Sequence, residues 1–66
     1  MDFSERLLTL RKSLDLTQEQ LAEKLNVSRQ SVSKWESGTS EPSTSNLLAL
    51  ARLFGISAEE LLREVE

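Results

Sequence analysis

Five times in 66 residues, a residue able to cap a helix N-terminus stands just before a short amphipathic segment. Such residues accept hydrogen bonds from the unpaired N–H groups of a first helical turn. Asp2-Phe3-Ser4-Glu5 fits a capping box, with Asp2 as the cap and Glu5 reaching back. Thr17-Gln18-Glu19-Gln20 repeats the pattern, with Leu16 and Leu21 at staple positions. Ser28 opens a third segment, with Val27 and Val32 as its staple. Ser43 follows Pro42 and opens a fourth. Ser57-Ala58-Glu59-Glu60 opens a fifth, stapled by Ile56 and Leu61. Gly38 and Gly55 stand where a left-handed C-terminal residue would stop a helix. The spacing predicts five helices, at roughly 3–14, 18–25, 29–36, 44–54 and 58–64. Leu supplies 13 of the apolar residues, while Val and Ile together supply four. Leu favours helices and the β-branched residues favour strands, so the fold class is all-α. The connections are short, with no linker or low-complexity tract, so residues 1–66 read as a single domain.

The apolar residues recur at helical spacing within these limits. Phe3, Leu7, Leu10 and Leu14 form one stripe, and Leu21, Ala22 and Leu25 a second. Leu47, Leu50, Ala51 and Phe54 form a fourth, with Leu61, Leu62 and Val65 as the fifth. All should face one core. Leu8, Leu48 and Leu53 fall off the stripes. Single surface leucines are common; a self-association patch is the sharper alternative.

Several functions are excluded at once. The chain has no Cys and no His, which removes the thiolate ligand and the usual general base and zinc ligand. Nothing pairs a nucleophile with an oriented base, so an enzyme is not expected. Glu59, Glu60 and Glu64 cluster, but without His and on a solvated face they make no metal site. No cofactor is called for, and no small-molecule site is apparent. No apolar run approaches the roughly 20 residues of a membrane span. The first residues lack the basic and apolar regions of a signal peptide, so a cytoplasmic location is expected. The net charge of −3 does not advertise nucleic acid.

The third segment departs from this acidic average. Val32 and Trp35 lie on one side of a helix, and Arg29, Gln30, Ser33, Lys34 and Ser37 lie within an arc of about 140° opposite them. That outer face carries two cations, an amide and hydroxyls, but no carboxylate. An ordinary solvated face in an acidic chain would mix in Asp and Glu. A donor-rich face suits the DNA major groove, where Arg pairs bidentately with guanine and Gln with adenine. A plain amphipathic helix with a chance excess of cations remains the alternative for this segment alone. The preceding segment bears on the choice. Two short helices joined by about three residues make a helix-turn-helix, here at about 17–36, whose second helix enters the major groove. The start of the first, with Thr17 and Gln18, can present N–H groups to a phosphate.

Taken in order, these fragments resemble a known family. Leu10-Arg11-Lys12, Leu16-Thr17-Gln18-Glu19-Gln20-Leu21-Ala22, Val27-Ser28, Ser33-Lys34-Trp35-Glu36-Ser37-Gly38, Pro42, Leu47, Leu50-Ala51 and Gly55-Ile56-Ser57 are similar to the XRE/Cro-type, lambda-repressor-like helix-turn-helix family. The likeness covers residues 3–63. It implies a compact five-helix domain that binds double-stranded DNA and regulates transcription, as a repressor in many members. By resemblance, Arg29, Gln30 and Lys34 read bases, with Ser33 on the same face. Thr17, Gln18, Ser28, Ser37, Thr39 and Ser40 fall where phosphate is contacted, and Gln18 also braces the reading helix. Arg11 and Glu36 match an ion pair that ties the first helix to the end of the third. Trp35 is core.

Two departures stand out. Between Gly38 and Pro42 the family often carries Lys or Arg, whereas this chain has Thr39-Ser40-Glu41. Fewer neutralised phosphates and a shallower salt dependence follow. The acidic fifth segment also puts a family-like apolar dimer contact in doubt. A homodimer on DNA would read half-sites about 10 base pairs apart. A protein-interaction or antitoxin-like adaptor on the same fold is the competing function, but it has no need of Arg29, Gln30 and Lys34 on one face.

Overall fold

A computed structural model describes residues 2–63. Its five helices are α1 (Phe3–Ser13), α2 (Gln18–Leu25), α3 (Arg29–Ser37), α4 (Thr44–Phe54) and α5 (Ala58–Leu62). No strand occurs among the described residues. No helix among the described residues is long and apolar enough to cross a membrane.

Each start is capped by the residue its sequence nominates. Asp2, Thr17, Ser28, Ser43 and Ser57 each accept a hydrogen bond from the backbone N–H three residues on. Such a cap contributes about 1 kcal/mol. The box expected at Asp2 and at Ser57 closes in one direction only. At Thr17 it closes both ways, with Gln20 N–H donating to Thr17 Oγ1 at 3.0 Å and Thr17 N–H donating to Gln20 Oε1 at 2.9 Å. Asp2 instead adds a bond from the Ser4 hydroxyl at 2.8 Å.

These bonds make the start of α1 acid-sensitive. The Glu5 N–H, then the Ser4 hydroxyl, hold the Asp2 carboxyl below its ordinary 3.8. Both bonds favour the charged form, so their stabilisation is complete above that value. It fades as pH falls through the lower folded value. Asp2→Asn should therefore flatten the acid limb of a melting-temperature profile below about pH 4. An unchanged limb would overturn this.

The stops are of two kinds. Gly38 (φ 79°) and Gly55 (φ 70°) end α3 and α4 in the left-handed conformation. A Cβ on Gly38 would meet nothing closer than the Ser4 Oγ at 3.8 Å, so backbone conformation rather than space requires glycine there. Asn26 (φ 58°) ends α2 in the same conformation, and Asp15 (φ 56°) turns the chain between α1 and α2. Asn and Asp tolerate this region through local hydrogen bonding.

The core consists of Leu7, Leu21, Ala22, Val32, Trp35, Leu50, Ala51 and Leu61. Every helix supplies at least one of them. Helices this short are marginal alone, so this shared core holds them. α3 packs on α2 and α1, and α5 packs on α4 and α1. Two stripe assignments need correction. Leu14 is 45% exposed because α1 stops at Ser13 and the chain turns away. Leu62 is 50% exposed because α5 stops there, with Arg63 extended (φ −66°, ψ 130°). The helix expected to reach residue 64 is thus shorter. Glu64 and Val65 lie outside the described residues. Of the off-stripe leucines, only Leu48 is exposed; Leu53 packs against the core and Leu8 is half-buried. The three do not form one open patch.

Candidate nucleic-acid interface

α3 sits with Val32 and Trp35 inward, which fixes where the opposite face points. Arg29, Gln30 and Lys34 are exposed, and Ser33 lies half-buried on the same side. No carboxylate stands among them, and no salt bridge of the described residues engages Arg29 or Lys34. Their donors face solvent.

A largely buried ionic knot holds the helix in this pose. Arg11 Nε donates to Glu36 Oε2 at 2.6 Å, and Nη2 donates to Glu36 Oε1 at 3.2 Å. The remaining Nη1 donates to the Leu16 carbonyl at 2.7 Å. Gln18 Nε2 donates to Glu36 Oε1 at 3.0 Å. One carboxylate at the end of α3 thus receives donors from α1 and from the first residue of α2. The side chains of Arg11 and Glu36 are only 11% and 6% exposed. Removing either partner would leave the other charged in a desolvated place.

This knot leaves Gln18 with one N–H free. Thr17 Oγ1 accepts from Gln20 and keeps its own O–H free. The two residues line a surface hollow of about 440 Å³ with Arg11, Asp15, Leu16, Glu19 and Arg29. The start of α2 therefore opens beside the start of α3. Ser28 Oγ accepts the Ser31 N–H and lies 3.0 Å from Ser31 Oγ.

The loop after α3 is arranged differently. The N–H groups of Gly38, Thr39 and Ser40 all turn back to the Lys34 carbonyl, and Gly38 also meets the Trp35 carbonyl. The Ser37 hydroxyl donates to that same Lys34 carbonyl at 3.1 Å. It lies 2.8 Å from Thr39 Oγ1. Either hydroxyl can donate in that pair. Ser40 is half-buried and Glu41 is exposed. The inward N–H groups follow from the left-handed turn at Gly38, the stop that the sequence nominates.

Comparisons with known proteins agree with this architecture. The helix-turn-helix family profile matches residues 7–61. Over 62 residues the chain is 48% identical to the HTH-type transcriptional activator BcrR of Enterococcus faecalis, covering 94% of this chain and 30% of the relative. It is 42% identical over 62 residues to the HTH-type transcriptional regulator DicA of Escherichia coli, covering 94% and 46%. The chain thus spans less than half the length of these curated relatives. Its fold is similar to that of the P22 c2 repressor crystallised with a synthetic operator, with a TM-score of 0.90 and 35% identity over 96% of both chains. A restriction-modification controller protein from Aeromonas hydrophila gives a TM-score of 0.82 at 37% identity, over 91% of both chains. By its family profile, its relatives and its five-helix fold, this chain belongs to the XRE-type, lambda-repressor-like helix-turn-helix family.

Proposed function

We propose that this domain binds double-stranded DNA sequence-specifically as part of a transcriptional regulator. α3 enters the major groove, Arg29, Gln30 and Lys34 address base edges, and Ser33 lines the same face. The observation that carries this is the carboxylate-free outer face of α3, held rigidly by the Arg11–Glu36–Gln18 knot. Relatives named as transcriptional regulators, and a fold shared with a repressor crystallised with its operator, support the same function. Thr17, Gln18 and Ser28 offer phosphate-facing donors at the adjoining starts of α2 and α3. A site overlapping a promoter would give repression by occupancy.

Selection from random duplex DNA at low salt tests this. One sequence class should be enriched, and Arg29→Ala should weaken binding to it by about 5- to 150-fold, as expected for losing one bidentate base pairing. Lys34→Ala should relax preference at a second position. Enrichment that survives both substitutions would move the reading surface elsewhere. No enrichment would favour the adaptor role, which the acidic residues Glu41, Glu59 and Glu60 suit. A palindromic site with half-sites about 10 base pairs apart would reveal a homodimer.

A further inference from the structure

The loop after α3 differs from the starts of α2 and α3 in the direction of its donors. At those starts, the Thr17 hydroxyl and one Gln18 N–H remain free. In the loop, the N–H groups of Gly38, Thr39 and Ser40 all point inward to α3 carbonyls. Consecutive N–H groups that converge outward make an anion-binding nest; these converge inward. The Ser37 hydroxyl reaches the same Lys34 carbonyl, and the Ser37 and Thr39 hydroxyls are paired with each other at 2.8 Å. To recruit either hydroxyl, a phosphate oxygen has to displace a hydrogen bond already made within the loop. Charge acts in the same sense. Asp2 and Glu41 line a hollow of about 230 Å³ that has no cation in its lining, whereas Asp15 and Glu19 at the start of α2 share their hollow with Arg11 and Arg29. Asp2 stays ionised well below neutral pH, held by the Glu5 N–H and the Ser4 hydroxyl.

We infer that the edge formed by residues 37–41 and the start of α1 is closed to DNA phosphate. Glu41 is then the residue that limits affinity on that side. The inference rests on α3 being the DNA-reading helix. Its consequence is an asymmetric grip, anchored beside Thr17 and Gln18 and repelled beside Glu41. Weak phosphate neutralisation raises the share of binding that depends on base contacts, since non-specific binding is almost wholly phosphate electrostatics. Glu41 therefore favours discrimination over raw affinity.

The test measures affinity against salt for the selected duplex and for a scrambled one. Ser37→Ala and Thr39→Val should leave both affinities within about twofold, with unchanged slopes. Glu41→Gln should tighten both duplexes about twofold at low salt, the scale of one screened charge near a Debye length away. Glu41→Lys should steepen the log–log slope by about 0.9, the signature of one added phosphate contact. It should also tighten the scrambled duplex more than the selected one. Glu41 is exposed, and a thermal melt of each variant confirms folding. A tenfold loss on Ser37→Ala or Thr39→Val, or an unchanged slope for Glu41→Lys, overturns the inference while leaving the DNA-binding function intact. Failure to select any duplex overturns both.

Discussion

Replacing Glu36 with Ala should lower the unfolding free energy by about 3–5 kcal/mol, the range for breaking a buried ion pair by removing one partner. The Arg11 side chain is 11% exposed and directs two of its three donor nitrogens to this carboxylate. Without Glu36, those donors and the Gln18 amide lose their acceptor in a desolvated place. A domain of this size has at most some 5–10 kcal/mol in total, so the variant should sit near its folding limit. Denaturant titration by far-UV circular dichroism measures the change. The double variant Arg11→Met with Glu36→Leu should regain much of the loss, because two apolar residues carry no desolvation penalty. A loss under 1 kcal/mol for Glu36→Ala would assign the pair the weight of an exposed one. DNA binding should fall with stability, since the same carboxylate positions Gln18.

Trp35→Ala should destabilise by a similar amount, about 3–5 kcal/mol, the range for emptying a buried aromatic site. Trp35 is 4% exposed and shares the inward face of α3 with Val32, which is fully buried. α3 has nine residues and cannot persist without that packing. Trp35→Phe keeps much of the volume and should lose distinctly less. Thermal melts of the two variants measure the difference. Equal and small losses would mean that Trp35 covers surface rather than fills the core. Since Trp35 and Arg29 lie on opposite faces, the two substitutions should also separate. Arg29→Ala should leave melting unchanged while weakening DNA binding.

Much of the fold was legible in the sequence because its signals are local. A capping hydroxyl and the N–H it accepts from are three residues apart, so Thr17, Ser28, Ser43 and Ser57 announced their helices. Gly38 and Gly55 announced stops by the same local logic. Asn26 could have been read as the end of α2, since Asn tolerates the left-handed region. Leu14 and Leu62 misled because periodicity marks a face and not where a helix ends. Leu14 lies one residue past α1, and Leu62 is the last residue of α5, a step of about 100° around the helix from buried Leu61.

The candidate site divides in the same way. The sequence by itself determined which side chains share the outer face of α3, because a helix repeats every 3.6 residues whatever surrounds it. The family resemblance supplied the pairing of Arg11 with Glu36. Tertiary structure decided how deep that pair lies and that Gln18 and the Leu16 carbonyl join it. Those contacts need α1, α2 and α3 to meet, and the pair itself spans 25 positions. The inward N–H groups of residues 38–40 belong to the local side instead, since they bond Lys34 and Trp35 only a few positions back through the left-handed turn at Gly38.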